Sequence, residues 1–200
     1  MKNEVIKLLR DIGALVENGH FVGTSGRHMV SYINKNQLTA HPRHVSKVGK
    51  LFAEKFRHKN IEIVVAPAVG GIPFSQWTAS HLYKMTKKEV FSAYTEKTNS
   101  GKQTLKRGYD QLVCGKRVLV IEDTTTTGGS VKEVIASVKK AGGKVVAAVV
   151  MLNRDPKLVN SKSMGVPFSA LATLAIPSWP ARQCQLCKNK IPISTELGHG

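Results

Sequence analysis

One short segment of the chain combines acids, hydroxyls and glycines directly after an apolar run. In VLVIEDTTTTGGS, residues 118–130, Glu122 and Asp123 follow the apolar residues and precede a threonine- and glycine-rich turn. Backbone N–H groups at a helix start lack internal partners and lie at the positive end of the helix dipole, and glycine lets a phosphate approach closely. The carboxylates can accept hydrogen bonds from vicinal sugar hydroxyls or hold a hydrated Mg²⁺. The segment therefore indicates a sugar-phosphate site, with the phosphate between Thr126 and Ser130.

Two commoner nucleotide-binding motifs are absent from the sequence. Neither G-x-x-x-x-G-K-[ST] nor G-x-G-x-x-G after a strand occurs. Interpretations as an NTPase or a dinucleotide-binding protein therefore lose their main support. The remaining structural alternative is that Asp123 and the threonines only end a strand and cap a helix.

Alternating strands and helices are predicted around this segment. Short apolar runs rich in β-formers predict strands at 61–66, 89–94, 117–122, 144–152 and 170–176. Helical periodicity is found at 4–16, with Asn3 as N-cap, around 45–56, and at 72–85 and 129–141. Strands that are apolar on both faces indicate a parallel sheet covered on two sides, with ligands bound beyond the carboxyl ends of its strands. The polar, basic residues 95–116 predict a long mobile loop over that end.

Length and composition favour a single globular unit. The 200 residues are 42% hydrophobic, enough for one buried core. No apolar run approaches the roughly 20 residues needed to cross a bilayer, and the N-terminus is unlike a signal peptide, so we expect a soluble, cytoplasmic protein. The net charge of +17 should attract polyanions: nucleic acid, membrane lipid or a highly phosphorylated small molecule.

The three cysteines, an odd number, favour a reducing compartment over a secreted disulfide framework. Cys184 and Cys187 have the spacing of half a zinc site. No second Cys or His pair lies at a matching interval, so four ligands are expected to require a partner chain. None of the seven histidines is predicted to bind metal or act in catalysis. A metal site, a redox pair and an inert pair all stay open for the two cysteines.

Residues 118–130 closely resemble the signature with which type I phosphoribosyltransferases bind PRPP (phosphoribosyl pyrophosphate). Thr124 and Thr125 depart from that signature, which usually has an aliphatic residue at one or both positions. Three further segments resemble orotate phosphoribosyltransferases within this family: GHFVGTSGRHMVSYINK at 19–35, APAVGGIPFSQWTA at 66–79 and AVVMLNRDP at 148–156. The lysine common at the place of Gly70 is missing, and Thr24 stands where many orotate enzymes carry lysine.

The resemblance implies an α/β fold of the type I phosphoribosyltransferase class. Its central parallel five-stranded sheet would be flanked by helices, with a small hood built from the N-terminal segment, to which the C-terminal segment could contribute. One domain would span 1–200: helices and base-binding hood at 1–60, the PRPP-binding core at 61–177, and a Cys-x-x-Cys tail at 178–200.

The resemblance also implies roles for individual residues. PRPP would be bound by Glu122, Asp123, Thr126, Thr127, Gly128, Gly129 and Ser130, and its pyrophosphate by Ala68, Val69, Gly70 and Gly71. The catalytic set would be Lys97, Lys102, Lys106, Arg107 and Asp123, and the base would contact Arg27, Tyr32 and Arg154. Mg²⁺ would be held mainly by PRPP, with no direct side-chain ligand assigned except through water to Asp123. The 95–110 loop would cross to the neighbouring subunit of a homodimer.

The implied activity is a glycosyltransferase reaction in pyrimidine biosynthesis, in which orotate and PRPP give orotidine 5′-monophosphate and pyrophosphate. Two alternatives stay open: a purine or xanthine substrate, and a PRPP-sensing regulator that binds nucleic acid. The basic loop residues could also be only solvated cations. Arg154 suits a planar carboxylate, but a salt bridge with Asp155 or another nearby acid is an equally good interpretation of the sequence.

Overall fold

A six-stranded sheet forms the centre of the protein, whose computed structural model describes residues 2–23 and 26–198. The described strands are β1 (Leu15–Val16), β2 (Phe21–Val22), β3 (Arg27–Met29), β4 (Tyr32–Ile33), β5 (Ile63–Pro67), β6 (Phe91–Lys97), β7 (Gln103–Leu105), β8 (Arg117–Thr125), β9 (Lys144–Asn153), β10 (Phe168–Thr173) and β11 (Ser178–Pro180). The described helices are α1 (Lys2–Asp11), α2 (Lys35–Thr39), α3 (Pro42–Phe56), α4 (Ile72–Thr86), α5 (Tyr109–Val113), α6 (Gly129–Lys140), α7 (Ser161–Met164) and α8 (Gln185–Lys188), with a 3₁₀ turn at Ala181–Gln183.

The sheet order is β10-β9-β8-β5-β6-β7. The first five of these strands are parallel, which confirms the predicted α/β fold with five parallel strands. The sixth, β7, pairs antiparallel with β6 and was not predicted. The prediction of one long loop at 95–116 is therefore wrong: Thr95 pairs with Leu105, whose side chain is buried, and α5 follows.

Alternate residues of the parallel strands pack on opposite faces of the sheet. On one face, Val64, Leu119 and Val149 join the apolar residues of α1, α3 and α4. On the other face, Val65 and Val120 pack with α6 and the end of α5. Because both faces are covered, the strands are apolar throughout, which is why the sequence predicted them well.

The N-terminal helix is shorter than its apolar pattern predicted. It ends at Asp11 because Gly13 adopts a positive φ of 66° and turns the chain, and β1 then pairs with β4. Asn3 lies inside the helix, so its prediction as N-cap is wrong. No helix within 2–23 and 26–198 is both long and apolar enough to cross a membrane.

A second, antiparallel sheet of β2, β3 and β11 forms the hood. It joins the N-terminal segment to the C-terminal one, since β11 pairs with β3 from Ser178 to Pro180. The hood also brings His20 and His28 next to Cys184 and Cys187. The expectation that these cysteines find no histidine pair in their own chain is therefore wrong, because strand pairing joins residues that are far apart in sequence.

Candidate active site

The turn after β8 has the geometry of an anion cradle. The strand continues to Thr125, three residues beyond its predicted end, and α6 begins at Gly129. Between them Gly128 has a φ of 77°, and its N–H donates to Oγ1 of Thr125 at 3.0 Å. Glycine adopts this positive φ without strain, and a side chain at this position would also displace the terminal methyl group of Met164. The first N–H groups of α6 lack intrahelical partners and face the mouth of this turn.

The two acids at the end of β8 are buried and interact with each other. Ser130 Oγ donates to Oε2 of Glu122 at 2.9 Å, and the N–H of Asp123 donates to Oε1 at 3.1 Å. Burial and the neighbouring charge of Asp123 raise the pKa of Glu122 to about 8. Burial and the negative charge of Asp123 therefore favour the protonated form of Glu122.

Lys35 neutralises that charge. Lys35 is the first residue of α2, and its Nζ lies 3.0 Å from Oδ2 of Asp123. Burial lowers the pKa of Lys35, but the charge of Asp123 and a hydrogen bond to it outweigh burial, so the pKa lies above its usual value. Sequence reasoning missed this residue because nothing in the local pattern connects the start of α2 with the end of β8.

The loop after β5 approaches the same acids. The N–H of Ala68 donates to the carbonyl of Thr95 at 2.8 Å, and Gly71 N–H donates to that of Pro67 at 3.1 Å. A Cβ atom at Gly70 would lie only 2.7 Å from Oδ2 of Asp123, so residue 70 lies directly beside this carboxylate. The structure thus brings residues 68–71 and 122–130 together at the carboxyl edge of the sheet.

An open cleft lies between this edge and the hood. It is lined by Gly23, Arg27, Met29, Thr124, Thr125, Thr126, Thr127, Gly128, Gly129, Ser130, Arg154 and Ser178. Arg27 is fixed against β11, because its Nε donates to Oγ of Ser178 at 3.1 Å and its Nη2 to the Ser178 carbonyl at 2.6 Å. Tyr32 does not line the cleft; its ring lies 5.7 Å from that of Phe21.

Arg154 brings an unpaired positive charge into the cleft. Its Nη2 lies 2.9 Å from Sδ of Met29, and its buried Nε has no hydrogen-bond partner among the described residues. Burial lowers its pKa, and no carboxylate in the described parts of the chain forms an ion pair with it. The predicted alternative of a salt bridge to Asp155 is wrong, since Oδ1 of Asp155 accepts the N–H of Leu158 instead. A half-buried guanidinium without an anion indicates a binding site for an acidic ligand.

A model of the phosphoribosyl transferase domain matches residues 34–166, which include the acid pair, the turn and Arg154. The chain belongs to the type I phosphoribosyltransferase family. It is 37% identical to the orotate phosphoribosyltransferase of Desulforamulus reducens over 96% of this chain and 94% of the relative. The orotate phosphoribosyltransferase of Thermus thermophilus is 32% identical to it over 95% of this chain and 98% of the relative. The solved orotate phosphoribosyltransferase of Mycobacterium tuberculosis has the same fold, with a TM-score of 0.69, 24% identity, and coverage of 86% of this chain and 95% of that one.

The basic residues of the β6–β7 hairpin lie away from the cleft of this type I phosphoribosyltransferase. Lys106 and Arg107 both pair with Glu96, at 3.5 and 2.7 Å. Lys97 ends β6, and Lys102 lines a separate surface depression beside α6. Within one chain, the structure therefore does not bring the four predicted cations to the anion cradle.

Proposed function

We propose that the protein transfers the 5-phosphoribosyl group of PRPP to orotate, giving orotidine 5′-monophosphate and pyrophosphate, as a pentosyltransferase of pyrimidine nucleotide synthesis. Relatives of nearly the same length carry the name orotate phosphoribosyltransferase. The observation that carries the choice of base is the Arg154 guanidinium, which is unpaired within the described chain and lies in the same cleft as the anion cradle. Orotate has a planar carboxylate, and a bidentate fork of N–H donors suits it.

We propose one orientation for PRPP at the carboxyl edge of the sheet. Its 5-phosphate would accept hydrogen bonds from the N–H groups of residues 126–130, where the helix dipole also favours negative charge. Its ribose hydroxyls would contact the acid pair, with Asp123 as acceptor. The pyrophosphate would then lie against residues 68–71, because that loop reaches Oδ2 of Asp123.

The protonation state of the acid pair supports this placement. The raised pKa of Glu122 lowers the negative charge that this residue places next to PRPP, and its carboxyl group accepts hydrogen bonds from Ser130 and from the backbone of Asp123. Lys35 holds the carboxylate of Asp123 in position. One neutral and one ionised carboxyl can bind a sugar diol with less repulsion of the phosphates than two ionised ones.

Mg²⁺ is the cofactor that this site would take. Asp123 offers a hard carboxylate group, whose Oδ2 is in contact with Nζ of Lys35 at 3.0 Å. The residues therefore fit a hydrated Mg²⁺ held mainly by PRPP, with Asp123 binding through water. When bound, the ion would neutralise charge on the departing pyrophosphate. Lys35 would then share Asp123 with a water of the ion.

The protein would accelerate the reaction mainly by placing the two reactants. Arg154 orients the carboxylate of orotate, and Arg27, fixed by Ser178, lines the same cleft. A ring nitrogen of the base then displaces pyrophosphate from ribose C1. Placement of this kind can supply several kcal/mol of the barrier, on the order of 7–11 in well-oriented systems.

A panel of bases with PRPP and Mg²⁺ tests the proposal. Pyrophosphate release should be at least about 100-fold faster with orotate than with uracil, because uracil lacks the carboxylate and leaves the Arg154 charge buried without a partner. Hypoxanthine, guanine and xanthine should be turned over no faster than uracil. Faster release with a purine would assign the purine alternative, and no release with any base would remove the enzyme interpretation altogether.

We propose further that the 95–110 loop acts in the neighbouring subunit of a homodimer. The cations of this loop lie away from the cleft of their own chain, and those beside Glu96 are held on the outer hairpin. Lys102 is fully outside the cleft and could neutralise the pyrophosphate of a second active site. In a two-fold symmetric homodimer, the loop of each subunit can reach the active site of the other.

Mixing two inactive variants distinguishes a shared site from a self-contained one. Lys102→Ala lacks the loop cation and Arg154→Ala lacks the base contact. If the loop crosses between subunits, each mixed dimer contains one complete site, and activity should return to about a quarter of wild type after random exchange. If the loop serves its own chain, every site lacks one group and the mixture stays inactive. A protein that sediments as a monomer would also exclude sharing.

A further inference from the structure

Four side chains that commonly bind metals meet between the hood and the C-terminal segment. The ligand atoms of His20, His28, Cys184 and Cys187 all lie within 4.8 Å of one another. Sγ of Cys184 is 3.6 Å from Nε2 of His20. Sγ of Cys187 is 3.8 Å from the same nitrogen and 3.4 Å from Nδ1 of His28. Nothing in the proposed reaction uses this cluster, which belongs to a different part of the fold from the anion cradle.

Strand pairing and one short helix create the cluster. Val22 of β2 pairs with His28 of β3, and His20 precedes Val22 by two residues, so both histidines project from the same face of the hood sheet. Trp179 of β11 pairs with His28 from the other side and leads the chain into the turn before Cys184. Cys184 then caps α8, which contains Cys187.

The distances match those of tetrahedral zinc. Typical bonds of about 2.3 Å to sulfur and about 2.0–2.1 Å to nitrogen place a sulfur and a nitrogen ligand roughly 3.6 Å apart. The three sulfur–nitrogen distances of 3.4, 3.6 and 3.8 Å scatter around this value. The two ring nitrogens of His20 and His28 are 2.7 Å apart and would have to separate by about 0.6 Å.

A hydrogen bond outside the cluster orients His20. Its Nδ1 lies 2.7 Å from the backbone carbonyl of Ile191. A carbonyl can only accept, so Nδ1 carries the proton and the lone pair of Nε2 points into the cluster. Histidines that bind metals usually have such a partner on their second nitrogen, because it fixes the tautomer and the ring plane.

We propose that His20, His28, Cys184 and Cys187 bind a structural zinc ion. Two thiolates and two neutral imidazoles form a soft, closed set of four ligands, which suits Zn²⁺ and leaves no open position for catalysis. The charges of two thiolates and one Zn²⁺ cancel, which allows three of the four side chains to be buried. The metal-free alternative is a hydrogen bond from His28 Nδ1 to His20 Nε2 beside two thiols.

Zinc at this position would connect the two ends of the chain. It would tie the β2–β3 hairpin to α8, and β3 carries Arg27 and Met29 of the cleft wall. Metal binding that occurs only in the folded protein adds directly to its stability. The zinc-bound protein should therefore unfold at a higher temperature than the metal-free protein.

Metal analysis with two cysteine variants tests the proposal. Protein purified from zinc-supplemented cells should contain close to one zinc ion per chain, as measured by inductively coupled plasma mass spectrometry. After dialysis, Cys187→Ser should contain less than about a tenth of the wild-type amount of zinc, since loss of one thiolate ligand greatly weakens the affinity for zinc. Cys114→Ser is the matched control, because Cys114 is exposed like Cys187 but lies outside the cluster, and it should keep its zinc. Far-UV circular dichroism checks the folding of both variants.

Cobalt substitution of the unmodified protein gives a result that does not depend on any variant. The metal-free protein titrated with Co²⁺ should show the intense visible bands and thiolate charge transfer of a tetrahedral site, saturating at one equivalent. The proposal is overturned if wild-type protein binds neither metal, or if Cys187→Ser keeps its zinc. A Cys184–Cys187 disulfide in protein prepared with reductant would overturn it as well.

Discussion

Arg154→Ala should lower kcat/KM for orotate by about 10²–10³-fold while changing the affinity for PRPP by less than about threefold. Removing one member of a buried charge pair costs about 2–5 kcal/mol, and each 1.4 kcal/mol is a factor of ten. The loss should be confined to the base, because the proposed phosphate site consists of backbone N–H groups of residues 126–130 and does not include this guanidinium. Steady-state kinetics measures kcat/KM for orotate, and calorimetry with PRPP and Mg²⁺ measures the affinity for PRPP.

Arg154→Lys is the matched control for charge. It keeps the positive charge but loses the two parallel donors, so activity should lie between wild type and Arg154→Ala, at roughly a tenth of wild type or below. If the lysine variant equals wild type, the bidentate contact is not needed. If the alanine variant keeps full orotate turnover, the carboxylate is bound elsewhere and the assignment of orotate to this cleft fails.

Thr127→Asp should weaken PRPP binding by about 10²-fold or more. Thr127 is exposed in the turn of the cradle, so the new carboxylate should not disturb the core. Two unit charges about 4 Å apart repel by roughly 4 kcal/mol at an effective dielectric of 20, and solvent at this open position reduces that value. The remaining repulsion still exceeds what a single neutral hydrogen bond contributes, about 0.5–1.5 kcal/mol.

Thr127→Asn isolates the effect of charge, since asparagine has the shape of aspartate without its charge. Its affinity for PRPP should stay within about fivefold of wild type, and both variants should unfold at the wild-type temperature. Calorimetric titration with PRPP measures both affinities. Equal weakening by Asp and Asn would indicate a steric effect, and unchanged affinity in both would place the 5-phosphate away from this turn.

The sheet could be predicted from sequence because burial on both faces leaves a clear signal. Residues 63–67 are buried throughout, and the predicted strand at 61–66 differs from β5 by only one or two residues at each end. β7 has no such signal, since only Leu105 of its three residues is buried. Its formation depends on pairing with β6, which a polar and basic local sequence does not reveal.

The candidate site was predictable where its parts are contiguous. Residues 122–130 run without interruption through the end of β8, the turn and the start of α6, and the structure places them together as their order suggests. Contacts between distant segments were not predictable: Lys35 meets Asp123 only because α2 begins beside the end of β8. The histidine and cysteine cluster has the same cause, because its two halves come from opposite ends of the chain. The absence of a carboxylate partner for Arg154 also required the structure, since Asp155 follows it directly in sequence.

The floor of the cleft has a fixed width. The backbone N–H of Arg154 donates to the carbonyl of Thr125 at 2.8 Å, and Thr125 pairs in register with Asn153. Arg154, which we propose binds the carboxylate, and the turn proposed for the sugar phosphate thus follow adjacent strands, whose separation of about 4.8 Å is set by backbone hydrogen bonding. Space for larger heterocycles would consequently have to be made on the hood side of the cleft, by substitution of Met29 or Ser178. Changes in the core strands would instead lower the stability of the fold.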